Sequence, residues 1–310
     1  MKAVVLDSYP LVKDDLNYDF LNKYCDEVEI YERTSKEEVI DRLKDADICF
    51  TNKVVIDKEV MDNTNLKYIS VTATGFNNVD INYAHQKNIL VTNVSNYSTD
   101  FVAEHTISFI LYALHQVAYH NETISKWVNN QDFSYSLTPL RELKGKTVGI
   151  IGYGNIAKKV IKILEAFEAK VIIYNRTKYD DGRCFVSLDT LLSTSDIISC
   201  HAPLNESFNG LFNKDTLSKV KNGLILVNTA RGGFVVEDDI QDAINKGKIA
   251  YYLTDVLGKE APDNDKFISN ERVIVTPHIA WASFEARTRL IKMLEENLVG
   301  YINNNYINQI

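Results

Sequence analysis

The chain has 310 residues, with 34 Lys and Arg against 42 Asp and Glu, a formal net charge of -8 and a pI near 5.4. That length exceeds the usual single core and predicts two domains, while the acidic balance repels a phosphate backbone and excludes nucleic acid as a main partner. No apolar run approaches the roughly 20 residues that span a bilayer, and residues 1–7 read as a first strand instead of a secretion signal, so no membrane partner and a cytoplasmic location are expected.

From the N-terminus to about residue 96, short apolar runs at 3–6, 48–51, 68–71 and 89–92 read as strands, and 35–43 reads as a helix. Such alternation predicts a parallel sheet flanked by helices. Ser98, Thr99 and Asp100 offer capping oxygens to one long helix over 101–120, whose apolar positions run nearly all the way round. Segment 121–141 is polar, carries Trp127, Phe133 and Tyr135, and reads as an arm or linker. A second βαβ rhythm then begins: strand 147–151, helix 155–167, strand 170–174, and further strands at 197–200, 224–228, 251–255 and 273–276, before a helical tail over 283–303. The fold class is therefore α/β, with two doubly wound units. Cys25, Cys49, Cys184 and Cys200 form no paired motif and no metal-cage spacing, so reduced, mostly buried thiols and no metal are expected.

The strand at 147–151 runs into Gly152-Tyr153-Gly154-Asn155-Ile156-Ala157. Gly152 suits a tight turn, Gly154 lets backbone approach a pyrophosphate, and the small Ala157 allows the helix to pack on the strand, as a dinucleotide cradle requires. After the next strand, where an acid would hold a ribose diol and repel a 2'-phosphate, stand Asn175, Arg176 and Thr177. Arg176 can pair with that phosphate while its two neighbours donate hydrogen bonds, which favours NADP(H) over NAD(H), although Asp180 and Asp181 nearby could offset the charge.

Three residues carry the chemistry. Arg231, in Asn-Thr-Ala-Arg-Gly-Gly, follows one strand, His278 follows another, and Glu260 lies between them. A guanidinium fork can clamp a carboxylate, an imidazole can move a proton, and a carboxylate can orient that imidazole. Gly232 and Gly233 are read as letting backbone come close to a ligand. The other histidines, His85, His105, His115, His120 and His201, read as core or surface residues.

Residues 228–232, Glu260 and Thr276-Pro277-His278-Ile279-Ala280 resemble the signature of the D-2-hydroxyacid dehydrogenase family. The separations of 29 positions from Arg231 to Glu260 and 18 from Glu260 to His278 are similar to its glycerate dehydrogenase and hydroxypyruvate/glyoxylate reductase branch. The loop 72–80 resembles that branch's substrate-carboxylate loop and 102–106 its interdomain helix. The resemblance implies two Rossmann-like domains with the active site in a cleft between them: a discontinuous, flavodoxin-like substrate domain from 1–97 and 286–310, and a nucleotide domain with a dimerisation arm from 98–285, in a homodimer. It implies catalytic roles for Arg231, Glu260 and His278, and substrate contacts from Thr74, Gly75, Arg231 and His278. It also implies cofactor contacts from Thr106, Gly152, Gly154, Asn155, Ile156, Asn175, Arg176, Thr177, His201, Ala202, Pro203, Thr229, Ala230, Arg231, Asp255, His278 and Ala280. The expected reaction is NAD(P)H-dependent reduction of a small 2-oxoacid to the D-2-hydroxyacid. The alternatives are a D-lactate/2-hydroxyisocaproate-type or phosphoglycerate-type dehydrogenase, or a nucleotide-sensing corepressor.

Overall fold

A computed structural model describes residues 1–128, 130–260 and 267–310. They divide into two compact units, Met1–Ser98 with Ala282–Ile310, and Thr99–Trp281.

In the first unit, β1 (Lys2–Val5), β2 (Glu27–Ile30), β3 (Ile48–Thr51), β4 (Tyr68–Val71) and β5 (Leu90–Thr92) form one parallel sheet in the order β2-β1-β3-β4-β5. The interior strands β3 and β4 are buried at every residue, as continuous apolar runs in a doubly covered sheet must be. Strand β2 escapes a reading by apolar runs because it is an edge strand of sequence Glu-Val-Glu-Ile, exposed at both ends. The connecting helices α1 (Val39–Leu43), α2 (Lys58–Asp62) and α3 (Ile81–Gln86) are short. The helix expected over 35–43 opens with a 3-10 turn, Lys36–Glu38, before α1. Asp57 and Asp80 cap α2 and α3 by accepting the Val60 and Tyr83 backbone N–H groups.

The second unit holds α4 (Thr99–His115), α5 (Val117–Glu122), β6 (Thr147–Ile151), α6 (Asn155–Ala166), β7 (Lys170–Tyr174), α7 (Leu188–Thr194), β8 (Ile197–Cys200), α8 (Lys214–Lys219), β9 (Leu224–Asn228), α9 (Glu237–Asn245), β10 (Ile249–Thr254) and β11 (Val273–Val275). Its sheet is parallel throughout, in the order β11-β10-β9-β8-β6-β7. The order reverses at β6, between β7 and β8, the topological switch point outside which such sheets bind ligands. Helices α4 and α6 share one core, where Ala103, Ile107, Ile110 and Leu114 meet Ala157, Val160, Ile161 and Leu164. The single helix expected over 101–120 does not form. Gln116 adopts a left-handed φ of 49° and separates α4 from α5. The apolar surface of α4 is spent on this core, whereas α5 buries none of its residues, so no packing holds the two in one line. The chain then returns to the first unit as α10 (Phe284–Ile302), capped by Ser283.

Candidate active site

The nucleotide turn follows from what glycine permits. Gly152 has φ 93°, and a Cβ there would lie 2.7 to 2.8 Å from the backbone of His201 and Ala202. Only a residue without a side chain lets the loop after β6 touch the loop after β8. At Gly154, by contrast, a Cβ would meet nothing within 4 Å. Gly154 precedes α6 in extended conformation, and Asn155 and Ile156 form that helix's first turn. Open space above a glycine, facing the positive end of a 12-residue helix, fits a pyrophosphate. Beside the turn, His201 places Nε2 2.8 Å from Ser199 Oγ, and burial pushes its pKa down to about 4, so the ring is neutral near pH 7. Ala202 is buried and Pro203 exposed.

After β7, the Asn175 side chain donates to the Thr177 carbonyl at 2.6 Å, while Arg176 and Thr177 face solvent. Asp181 is engaged on both oxygens: Oδ2 accepts from the Tyr153 hydroxyl at 2.5 Å, and Oδ1 accepts the Arg183 backbone N–H at 3.3 Å. One of the two acids near Arg176 is thus already partnered.

The turn after β9 is held from below by buried Asn228, whose Oδ1 accepts the Ala230 N–H at 3.1 Å and whose Nδ2 donates to the Arg231 carbonyl at 2.8 Å. Thr229 Oγ1 lies 2.9 Å from Thr106 Oγ1 on α4. The Arg231 guanidinium is exposed and donates to the Ala230 carbonyl at 2.7 Å. The expectation for Gly232 needs correction. A Cβ there would overlap the backbone of Leu257 and Gly258, so this glycine admits the chain's own loop after β10. A Cβ on Gly233 would lie 2.7 Å from the Leu204 side chain.

The last two strand ends carry the most tightly bonded part. Asp255, one residue beyond β10 and 2 % exposed, receives through Oδ1 the Thr276 hydroxyl at 2.6 Å and the Ile279 N–H at 2.8 Å, and through Oδ2 the Ala280 N–H at 2.8 Å. Its carbonyl accepts the His278 N–H at 3.0 Å. His278 has φ 53°, a left-handed conformation uncommon in a non-glycine residue, and this set of bonds over-determines it. The Trp281 indole N–H donates to the His278 carbonyl at 2.9 Å. Glu260 brings Oε1 to 3.2 Å from His278 Nδ1. The fold therefore pairs His278 with Glu260 at the ends of β10 and β11, and Arg231 projects from β9, on the other side of β10. His105 of α4, read from sequence as core or surface, also reaches this network, with Nε2 3.0 Å from Thr276 Oγ1. No sequence signal marks it, because the connection depends on how α4 lies along the sheet.

Thr74 and Gly75 belong to the first unit, in the loop after β4. Its backbone is latched by Asn93, which donates to the Thr74 carbonyl at 2.8 Å, and by Asn52, which donates to the Thr72 carbonyl at 2.9 Å. Among the described residues no helix is long and apolar enough to cross a membrane, and no group of three or more His, Cys, Asp or Glu could hold a metal.

Residues 108–280 match the family described as D-isomer specific 2-hydroxyacid dehydrogenase, NAD binding domain. The chain belongs to that family. It is similar to a hydroxypyruvate reductase of Blautia hydrogenotrophica, 40% identical over 100% of this chain and 99% of the relative. A glycerate dehydrogenase of Methylorubrum extorquens is 34% identical over 97% of this chain and 96% of its own. A solved acyclic imino acid reductase in complex with NADPH and D-Arg superposes with a TM-score of 0.87 at 30% identity, covering 100% of both chains. The two parallel-sheet α/β units are thus those of a 2-hydroxyacid dehydrogenase.

Proposed function

We propose that this dehydrogenase reduces hydroxypyruvate or glyoxylate to the D-2-hydroxyacid, with NADPH preferred over NADH. The observation that carries the reading is the His278 imidazole, turned by Glu260 through Nδ1 at 3.2 Å so that Nε2 holds the transferable proton. The turn from Gly152 to Ile156 would hold the dinucleotide's pyrophosphate, and the reduced nicotinamide would supply a hydride for the carbonyl carbon. Arg231 forks onto the substrate carboxylate and the ketone oxygen, drawing electron density from the carbon. His278 gives its proton to the developing alkoxide and takes it back in the reverse, oxidative direction, with Glu260 holding the ring through Nδ1.

Support for NADPH comes from the end of β7, where no acid follows the strand, Arg176 is exposed, and Asp181 is occupied by Tyr153. The substrate choice rests on the hydroxypyruvate and glycerate activities named for the similar proteins above. We also read the chain as a cytoplasmic homodimer joined through the nucleotide domain and the arm, where Phe133 is 95% exposed and Ile124 and Trp127 also lie bare.

Initial rates with NADPH and NADH against hydroxypyruvate, glyoxylate, pyruvate and 2-ketoisocaproate test cofactor and substrate together. The expected order places hydroxypyruvate and glyoxylate first, with NADPH. A preference for 2-ketoisocaproate, or tight nucleotide binding with no turnover on any of the four, overturns the reading. Sedimentation equilibrium tests the dimer, and a monomer at micromolar concentration overturns it.

A further inference from the structure

Thr276 has one hydroxyl proton and two close neighbours. Asp255 Oδ1, at 2.6 Å, accepts only, so the proton points there. The Thr276 oxygen must then accept from His105 Nε2, at 3.0 Å. The direction of the chain is settled by chemistry: His105 N–H to Thr276, Thr276 O–H to the Asp255 carboxylate, and that carboxylate onto the Ile279 and Ala280 N–H groups. Both ends are shielded, since the His105 and Asp255 side chains are 12% and 2% exposed. The His105 ring is clamped by Phe109, edge-on with centroids 4.6 Å apart, and by Phe101 at 6.1 Å.

We infer that His105 is a positioning residue for the proton donor: through Thr276 and Asp255 it fixes the left-handed turn that carries His278. The inference rests on the reading of His278 as the acid. Without the His105 donor, Thr276 can rotate its hydroxyl away, and one Asp255 oxygen loses the bond that aims it at the turn. Residues 278 to 280 then relax from a conformation that nothing intrinsic favours. Burial lowers the His105 pKa despite the Asp255 carboxylate 3.9 Å away, in keeping with a neutral ring whose single proton sits on Nε2.

The test uses full-length protein with His105→Phe, which keeps the aromatic packing and removes the donor, His105→Gln, which restores an N–H, Thr276→Val, Thr276→Ser, and the double variant H105F/T276V. A displacement near 1 Å at a reacting group costs about 100-fold, so H105F and T276V should each lower kcat by about 10- to 100-fold while the NADPH dissociation constant stays within about 3-fold. H105Q and T276S should recover most of that loss, and the double variant should be no slower than the worse single one, because both cut the same chain. Amide hydrogen exchange, read without any nucleotide, should accelerate at Ile279 and Ala280 in H105F and T276V and stay protected in T276S. Unchanged kcat and exchange in H105F, or losses that multiply in the double variant, overturn the inference. If His278→Ala keeps its rate, the reading of His278 falls; if His278→Ala is dead and H105F is normal, only the relay falls.

Discussion

Two strand ends of the same sheet are built in opposite ways. Beyond β10 and β11, a buried carboxylate gathers one hydroxyl and two backbone N–H groups around His278, which is held in a left-handed conformation. Beyond β7, Asn175, Arg176 and Thr177 lie at the surface, and the bonds there are exposed ones, Asn175 to the Thr177 carbonyl and Tyr153 to Asp181. A proton-transfer group must stay within a fraction of an ångström of its target, which calls for a turn that no single bond decides. A group that selects between two cofactors needs charge of the right sign within reach, and an exposed loop supplies that while tolerating substitution.

The contrast is sharpest in function at His278. Replacing it with Ala should lower kcat about 10²- to 10⁴-fold, the usual cost of losing a positioned acid, while NADPH affinity by fluorescence titration changes little. A surviving rate would detach the bonded turn from the chemistry.

Next comes stability at the buried side of the nucleotide turn. His201 takes up a proton near 6.5 in the unfolded chain and only near 4 when folded. Between those values the unfolded state binds more protons, so stability is full above about pH 6.5 and falls as the pH drops toward 4, by as much as about 3 kcal/mol. Urea midpoints at pH 7, 6 and 5 measure the slope, and His201→Asn should flatten it; equal slopes would place the acid sensitivity elsewhere.

At the end of β7 the expected effect is smaller and selective. Losing a charge-assisted hydrogen bond of about 1.5 to 3 kcal/mol in Arg176→Ala should weaken NADPH by about 10- to 100-fold and leave NADH nearly unchanged. Parallel weakening of both nucleotides would mean that Arg176 does not meet the 2'-phosphate. Smallest of all, Tyr153→Phe removes an exposed hydrogen bond and should shift the unfolding free energy by no more than about 0.5 kcal/mol. A shift of several kcal/mol would show that this loop is as tightly bound as the His278 turn.

Much of this was legible from residue order. The interior strands announce themselves as apolar runs because they are covered on both faces, and the glycine turn is readable because Gly152 sits where any Cβ would strike backbone. The edge strand β2 is not legible, since its four residues alternate Glu with an apolar residue and leave no apolar run. Nor is the break at Gln116, where the sequence continues a helical pattern after the packing surface has ended.

The sequence alone determined the alternation of strands and helices and the glycine turn after β6, both of which are local in the chain. Only the tertiary structure decided that Glu260 meets His278, that Gly232 makes room for Leu257 and Gly258, and that His105 reaches Thr276 across 171 positions. Those contacts depend on how strands are ordered side by side and how α4 packs against them, and hydrogen-bond partners brought together by packing leave no spacing in the chain to read.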